Sequence, residues 1–132
     1  MAKTEARDGV LWVYSSAPVI DPSSMPSDPG FFRELHAECE ANGCVGILID
    51  VRGVELRLAW PDKIRFALAI AKGRTPGRRV AVLADAGSIT TNGDFERLAG
   101  LAGATLAVFS EEQRALAWVR TPNPSVGAGT RD

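Results

Sequence analysis

Histidine and cysteine are scarce in this chain of 132 residues, which holds one of the first and two of the second. Structural and catalytic metal sites group several Cys, His or carboxylate ligands around one ion. With His36 alone and the cysteines at 39 and 44, no metal centre is expected. Charge of one sign is not in excess either: 15 Lys and Arg stand against 16 Asp and Glu, a net charge of −1. That balance gives no footprint for a nucleic acid or an anionic membrane surface. No apolar run approaches the roughly 20 residues a spanning helix needs, so membrane insertion is not expected. Lys3, Glu5, Arg7 and Asp8 mix both signs before a short apolar run, the wrong pattern for an export signal. Two cysteines without an export signal predict a reduced, cytoplasmic protein. No phosphate-loop spacing, no G-x-S-x-G elbow and no Cys-x5-Arg arrangement occurs. Enzymatic activity and cofactors are therefore not expected.

Four short runs rich in Val, Ile and Leu read as strands: residues 10–15, 45–50, 80–84 and 105–109. The second and third are apolar without alternation, which suits parallel strands covered by helices on both faces. Helical spacing fills the gaps. Asp28 caps a first helix with Pro29 at its first position, and Phe31, Phe32, Leu35 and Cys39 share a stripe that ends at Asn42-Gly43. A second helix begins near Pro61 with Ile64, Ala67, Leu68 and Ala71 on one face, and stops at Gly73. The third starts near Asn92 and buries Phe95, Leu98, Ala99 and Ala102. The fourth opens on a capping box, Ser110-Glu111-Glu112-Gln113, and buries Ala115, Leu116, Val119 and Trp118, the last as a core anchor. The alternation predicts a single layered α/β domain of four mainly parallel strands with about four helices. A fifth strand is available as an edge stub at residues 4–7. The Pro/Ser-rich segment 17–27 is expected as a long loop, and residues 121–132, with no apolar face to bury, as a mobile tail.

Ligands of open α/β sheets collect beyond the carboxyl ends of the strands. There lie Ser15, Ser16, Asp50, Arg52, Asp85 and Ser110, and two carboxylates with an arginine could seat a phosphate or a divalent ion. The plainer and favoured alternative is that Asp50 caps a turn into Gly53 and pairs with Arg52. Ser88 and Thr91, in a loop of small donors before the third helix, are a candidate anion contact. His36 flanks the first apolar stripe and is expected on the helix surface, and Cys39 and Cys44 are expected as small core residues. The second helix carries Phe66 and Ile70 off its main stripe, with Trp60 just ahead of it. A helix apolar on more than one side is usually covered twice. The partner or ligand surface is accordingly placed on Asp50, Arg52, Val54, Leu56, Trp60, Phe66 and Ile70.

The segments LIDVRGVE, PGRRVAVLAD and LAVFSEEQRALAWV, with the helices between them, resemble the SpoIIAA-like proteins of the STAS superfamily, related in shape to Sec14/CRAL-TRIO domains. The resemblance is strongest over residues 45–119, within a domain expected to span 1–120. It implies a compact binding domain. In the anti-sigma antagonists a phosphorylated Ser follows the strand-ending Asp, whereas here Asp50 leads into Val51-Arg52-Gly53-Val54 with no hydroxyl. The expectation is a non-catalytic interaction or regulatory module that binds a protein partner or itself. The alternative is a carrier of a lipid or other small apolar ligand, which would need an apolar cavity of roughly 300 Å³ or more beneath the second helix.

Overall fold

A computed structural model describes residues 2–26 and 28–121, with the side chains of 2, 88–92 and 95 left aside. The chain forms one α/β domain around a five-stranded mixed sheet. Its strands are β1 (Ala2–Arg7), β2 (Val10–Ser15), β4 (Gly46–Asp50), β6 (Arg79–Leu83) and β7 (Leu106–Phe109), in the spatial order β1-β2-β4-β6-β7. The expected mainly parallel sheet is corrected by β1, which pairs antiparallel with β2 from Ala2↔Ser15 to Arg7↔Val10. The cause is local. Asp8 and Gly9 take φ of 57° and 77°, the left-handed pair that a tight hairpin turn requires and that Asp-Gly adopts readily. The other neighbours are parallel and joined by helical crossovers.

Segment 17–27 is not wholly loop. Val19–Ile20 forms β3, which pairs in parallel with β5 (Glu55–Leu56) as a separate two-stranded sheet. The amides of Glu55 and Arg57 donate to the carbonyls of Pro18 and Ile20, both at 2.8 Å. Asp21 closes the segment by accepting from Ser23 N and Ser24 N with Oδ1, at 3.0 and 3.2 Å. This β3–β5 flap stands over the carboxyl edge of the main sheet.

The helices are α1 (Pro29–Ala41), α2 (Trp60–Lys72), α3 (Ile89–Leu101) and α4 (Glu112–Arg120). Asp28 caps α1 as expected, its Oδ1 accepting from Gly30 N at 2.9 Å. The cap of α4 is corrected: Glu111, not Ser110, is the N-cap, and it makes no side-chain capping bond. In α2 the buried face is also corrected. Ala67, Ala69, Ile70 and Ala71 are buried, whereas Ile64 and Leu68 are about two-fifths exposed. The helix is apolar nearly all round, so its period alone left the rotation open, and packing against both α1 and α3 fixed it. None of the described helices is long and apolar enough to cross a membrane.

Strand parity divides the core in two. Leu11, Val13, Ile47, Val80, Val82 and Leu106 face α1, α2 and α3. Val10, Trp12, Leu48, Ala81 and Leu83 face α4. Trp12, 1% exposed, is the large anchor of the second face. Trp118, expected in that role, is only partly buried, against Phe109 at 5.6 Å and under the Arg79 guanidinium at 4.8 Å. His36 is likewise corrected from surface to core, at 5% exposure on the inner side of α1. Apart from Thr121, the expected tail 121–132 falls outside the described residues.

β4 and α4 approach each other closely at Gly46. A Cβ added at Gly46 would lie 2.6 Å from Val119 Cγ2 and 2.9 Å from the Val119 carbonyl oxygen. A methyl there must displace helix backbone, so Gly46→Ala should cost about 1 to 3 kcal/mol, the usual range for overpacking. A urea midpoint unchanged by the substitution would contradict this packing.

Candidate functional site

The residues proposed at the carboxyl edge separate onto opposite faces of the sheet. Tyr14 and Asp50 are register partners and share the α4 face by strand alternation. There Asp50 Oδ1 accepts from Arg52 N at 3.1 Å and from Arg52 Nε at 3.0 Å, while Oδ2 accepts from Nη2 at 2.7 Å. Arg52 Nη2 also reaches Glu112 Oε1 at 3.4 Å. The hydrogen bond to Asp50 comes first among the causes that raise the Arg52 pKa. Asp85 Oδ2 accepts from the amide of Gly53, at 2.7 Å. Gly53 itself has φ 78° in a turn closed by Val54 N donating to Val51 O at 3.0 Å. The three groups therefore hold the β4 exit turn and tie it to the start of α4. This arrangement matches the plainer expectation for Asp50 and Arg52.

The other face holds a cavity of about 270 Å³. Its floor is the sheet, through Val13, Ile49, Val51, Val82 and Leu106. Its sides are Phe31, Phe32 and Leu35 of α1 and Phe66 and Ile70 of α2. The flap supplies Val19, Ile20 and Leu56, with Ala17, Ser24 and Pro26 beside them and Tyr14 and Ser15 at the end of β2. Ile49 lies in the central strand, yet it stays only partly buried. A sheet-centre residue beneath two helices would be closed off if the interior were filled at ordinary density.

Of the seven surface residues named from sequence, Leu56, Phe66 and Ile70 are brought together in the cavity wall. Val54 is partly buried beside the core. Trp60 is 50% exposed outside the cavity, with Lys63 Nζ 5.6 Å from its ring centre. The side chains of Ser88 and Thr91, the candidate anion contact, lie outside the described residues. Sequence reasoning missed the flap and the sheet floor. Pro18-Val19-Ile20, a short apolar pair after proline, was the available signal for the flap.

The three groups with familiar reactive chemistry are enclosed in the core. Cys39 and Cys44 are free and buried. The Cys39 thiol donates to Cys44 O at 3.4 Å, and burial pushes its pKa up to about 11, which disfavours the thiolate. The His36 ring finds no partner for Nδ1 among the described residues. Burial first, and the nearby Arg78 cation second, push its pKa down to about 4. No group of three or more potential ligands that could hold a metal ion occurs among the described residues.

No family model matches the chain, and no curated protein matches it. Among solved structures it is similar to an uncharacterized protein of the DUF3478 family from Shewanella loihica PV-4. The match spans 90% of this chain and 92% of that one, at 16% identity and a TM-score of 0.49. That protein has a SpoIIAA-like fold.

The buried imidazole makes stability depend on pH. The folded pKa lies below the ordinary 6.5, so between about 6.5 and 4 the unfolded chain binds a proton that the folded chain refuses. His36 costs nothing above that window and increasingly destabilises the fold as pH falls through it, by up to ~3 kcal/mol. His36→Leu should remove this component. Unfolding free energies of the two proteins, compared at pH 7 and pH 4, should shift in favour of the variant at the lower pH. Parallel pH profiles would contradict the assignment.

Proposed function

We propose that the domain is a non-catalytic binding protein that holds a small apolar ligand in the cavity between α1, α2 and the flap. The observation that carries this is the cavity itself: about 270 Å³, walled by aliphatic and aromatic side chains, beneath the second helix. That is close to the lower bound of roughly 300 Å³ typical of small-molecule sites. The wall contains no histidine, cysteine, lysine or carboxylate among the described residues, and its serine hydroxyls, Ser15 and Ser24, are engaged in bonds within their own turns. Binding is what such a wall can do. The two free thiols favour cytoplasmic residence as part of the same proposal.

The emission of 1-aminonaphthalene, a neutral probe small enough for this volume, should shift to the blue on addition of the protein. Ile49→Trp should weaken that binding at least tenfold, because the indole would occupy the space. Stability should change by less than about 1.5 kcal/mol, since a side chain entering open volume does not overpack. Undiminished probe binding by a folded Ile49→Trp protein would overturn the proposal.

A second function rests on a different observation. Trp60, Ile64 and Leu68 stand four residues apart along α2 and are each about half exposed or somewhat less. Such a stripe suits contact with a protein partner or a second copy of the chain, with the Trp as the dominant residue. Trp60→Ala should reduce self-association seen by sedimentation velocity while changing the unfolding free energy by less than about 1 kcal/mol. A loss of several kcal/mol would place the ring in the core.

A further inference from the structure

We propose that the cavity selects uncharged ligands, on the order of ten heavy atoms long, and discriminates against carboxylates of the same length. This deepens the apolar-ligand function above and rests on it. The size follows from a volume of about 270 Å³ and the ~30 Å³ that a water-sized or methylene-sized group occupies. The charge preference follows from two features of the wall and the chain beside it.

First, nothing in the described wall is left to receive a charged head. Its polar lining residues are Tyr14, Ser15 and Ser24, of which Tyr14 turns its side chain to the α4 face. Ser15 Oγ donates to Ala17 O at 2.8 Å and accepts from Ala17 N at 3.2 Å. Ser24 Oγ accepts from Asp21 N at 3.0 Å and turns back on the Asp21 carboxylate at 3.3 Å. The Tyr14 hydroxyl accepts from Arg7 Nη2 at 3.1 Å, on the α4 face. A carboxylate drawn into this space would lose its water and gain no cation, which disfavours it strongly.

Second, the chain beside the wall carries net negative charge. Asp21 follows the flap strand β3, and hydrogen bonds from Ser23 hold its carboxyl below the usual carboxylate range. The one cation of the flap, Arg57, is engaged by Glu55 at 2.9 Å, which neutralises it. Asp21, Glu55 and Arg57 thus leave a net charge of −1 beside the lining residues Ile20, Ser24 and Leu56, and a ligand head held there would meet it. A neutral alcohol, hydrocarbon or ring system meets no such penalty, whereas a fatty-acid anion meets it at both positions.

The test uses the full chain with 1-aminonaphthalene bound, at pH 7.5 and low salt, displaced by 1-decanol or by decanoate below its micelle concentration. Decanol should displace the probe at a concentration at least tenfold lower than decanoate. Asp21→Asn, which keeps an acceptor for the Ser23 and Ser24 bonds, should narrow that gap by improving decanoate while leaving decanol unchanged. Added salt should narrow it in the same sense. Equal or tighter binding of decanoate overturns the selectivity and leaves the cavity function standing. Displacement by neither compound, with the probe bound, overturns the assigned size and class. Failure of the probe to bind at all overturns the cavity function and the selectivity together.

Discussion

Everything in this domain depends on a sheet that is apolar on both sides. β2, β4 and β6 carry Leu11, Val13, Ile47 and Val82 on one face and Trp12, Leu48 and Leu83 on the other. Each face must be covered, and the two coverings are unequal. The nine residues of α4 suffice for one, because Trp12 fills much of the volume itself and Gly46 lets the helix approach β4 closely. The other face takes three helices. Even so, α1 and α2 leave the carboxyl end of the floor open enough that Ile49 is not fully buried. The cavity is a consequence of that incomplete covering.

The flap completes what the helices leave. Its two pairs of residues are too short to stand as an independent sheet. They persist because Leu56 packs on the core and because Asp21 and its serines fix the return of the chain. The same alternation that makes the cavity apolar puts Asp50 on the opposite face. Charge and cavity are thus kept apart by one residue of strand parity. Asp50, Arg52 and Asp85 fasten the β4 exit turn, and that turn leads directly into β5 and the flap. The polar latch supports the apolar site from behind without entering it.

Burial of chemically active groups follows the same division. His36 and Cys39 sit on the inner side of α1, desolvated enough that the imidazole stays neutral and the thiol stays protonated near neutral pH. His36 was placed at the surface from sequence because it flanks the stripe made by Phe32, Leu35 and Cys39. Its burial comes from β6 and the turn before it, where Arg78 donates to the His36 carbonyl at 3.1 Å and closes over that side of the helix. No periodicity within α1 contains that information.

By itself the sequence determined the four parallel strands, the four helices, the cap at Asp28 and the α/β layering, because each is written in local spacing and in residues that cannot sit elsewhere. It also contained the Asp8-Gly9 turn, a local signal that decides a mixed sheet. For the candidate site it marked Leu56, Phe66 and Ile70 as surplus apolar surface, and these three do line the cavity. Only the tertiary structure decided which way α2 turns, since a helix apolar on several sides has no unique inward face until α1 and α3 pack against it. The flap was decided there as well, because β3 and β5 are each two residues long and exist only by pairing across 36 positions of chain. The cavity was decided last, for a space is set by where neighbouring elements fail to meet, and no single segment of sequence encodes it.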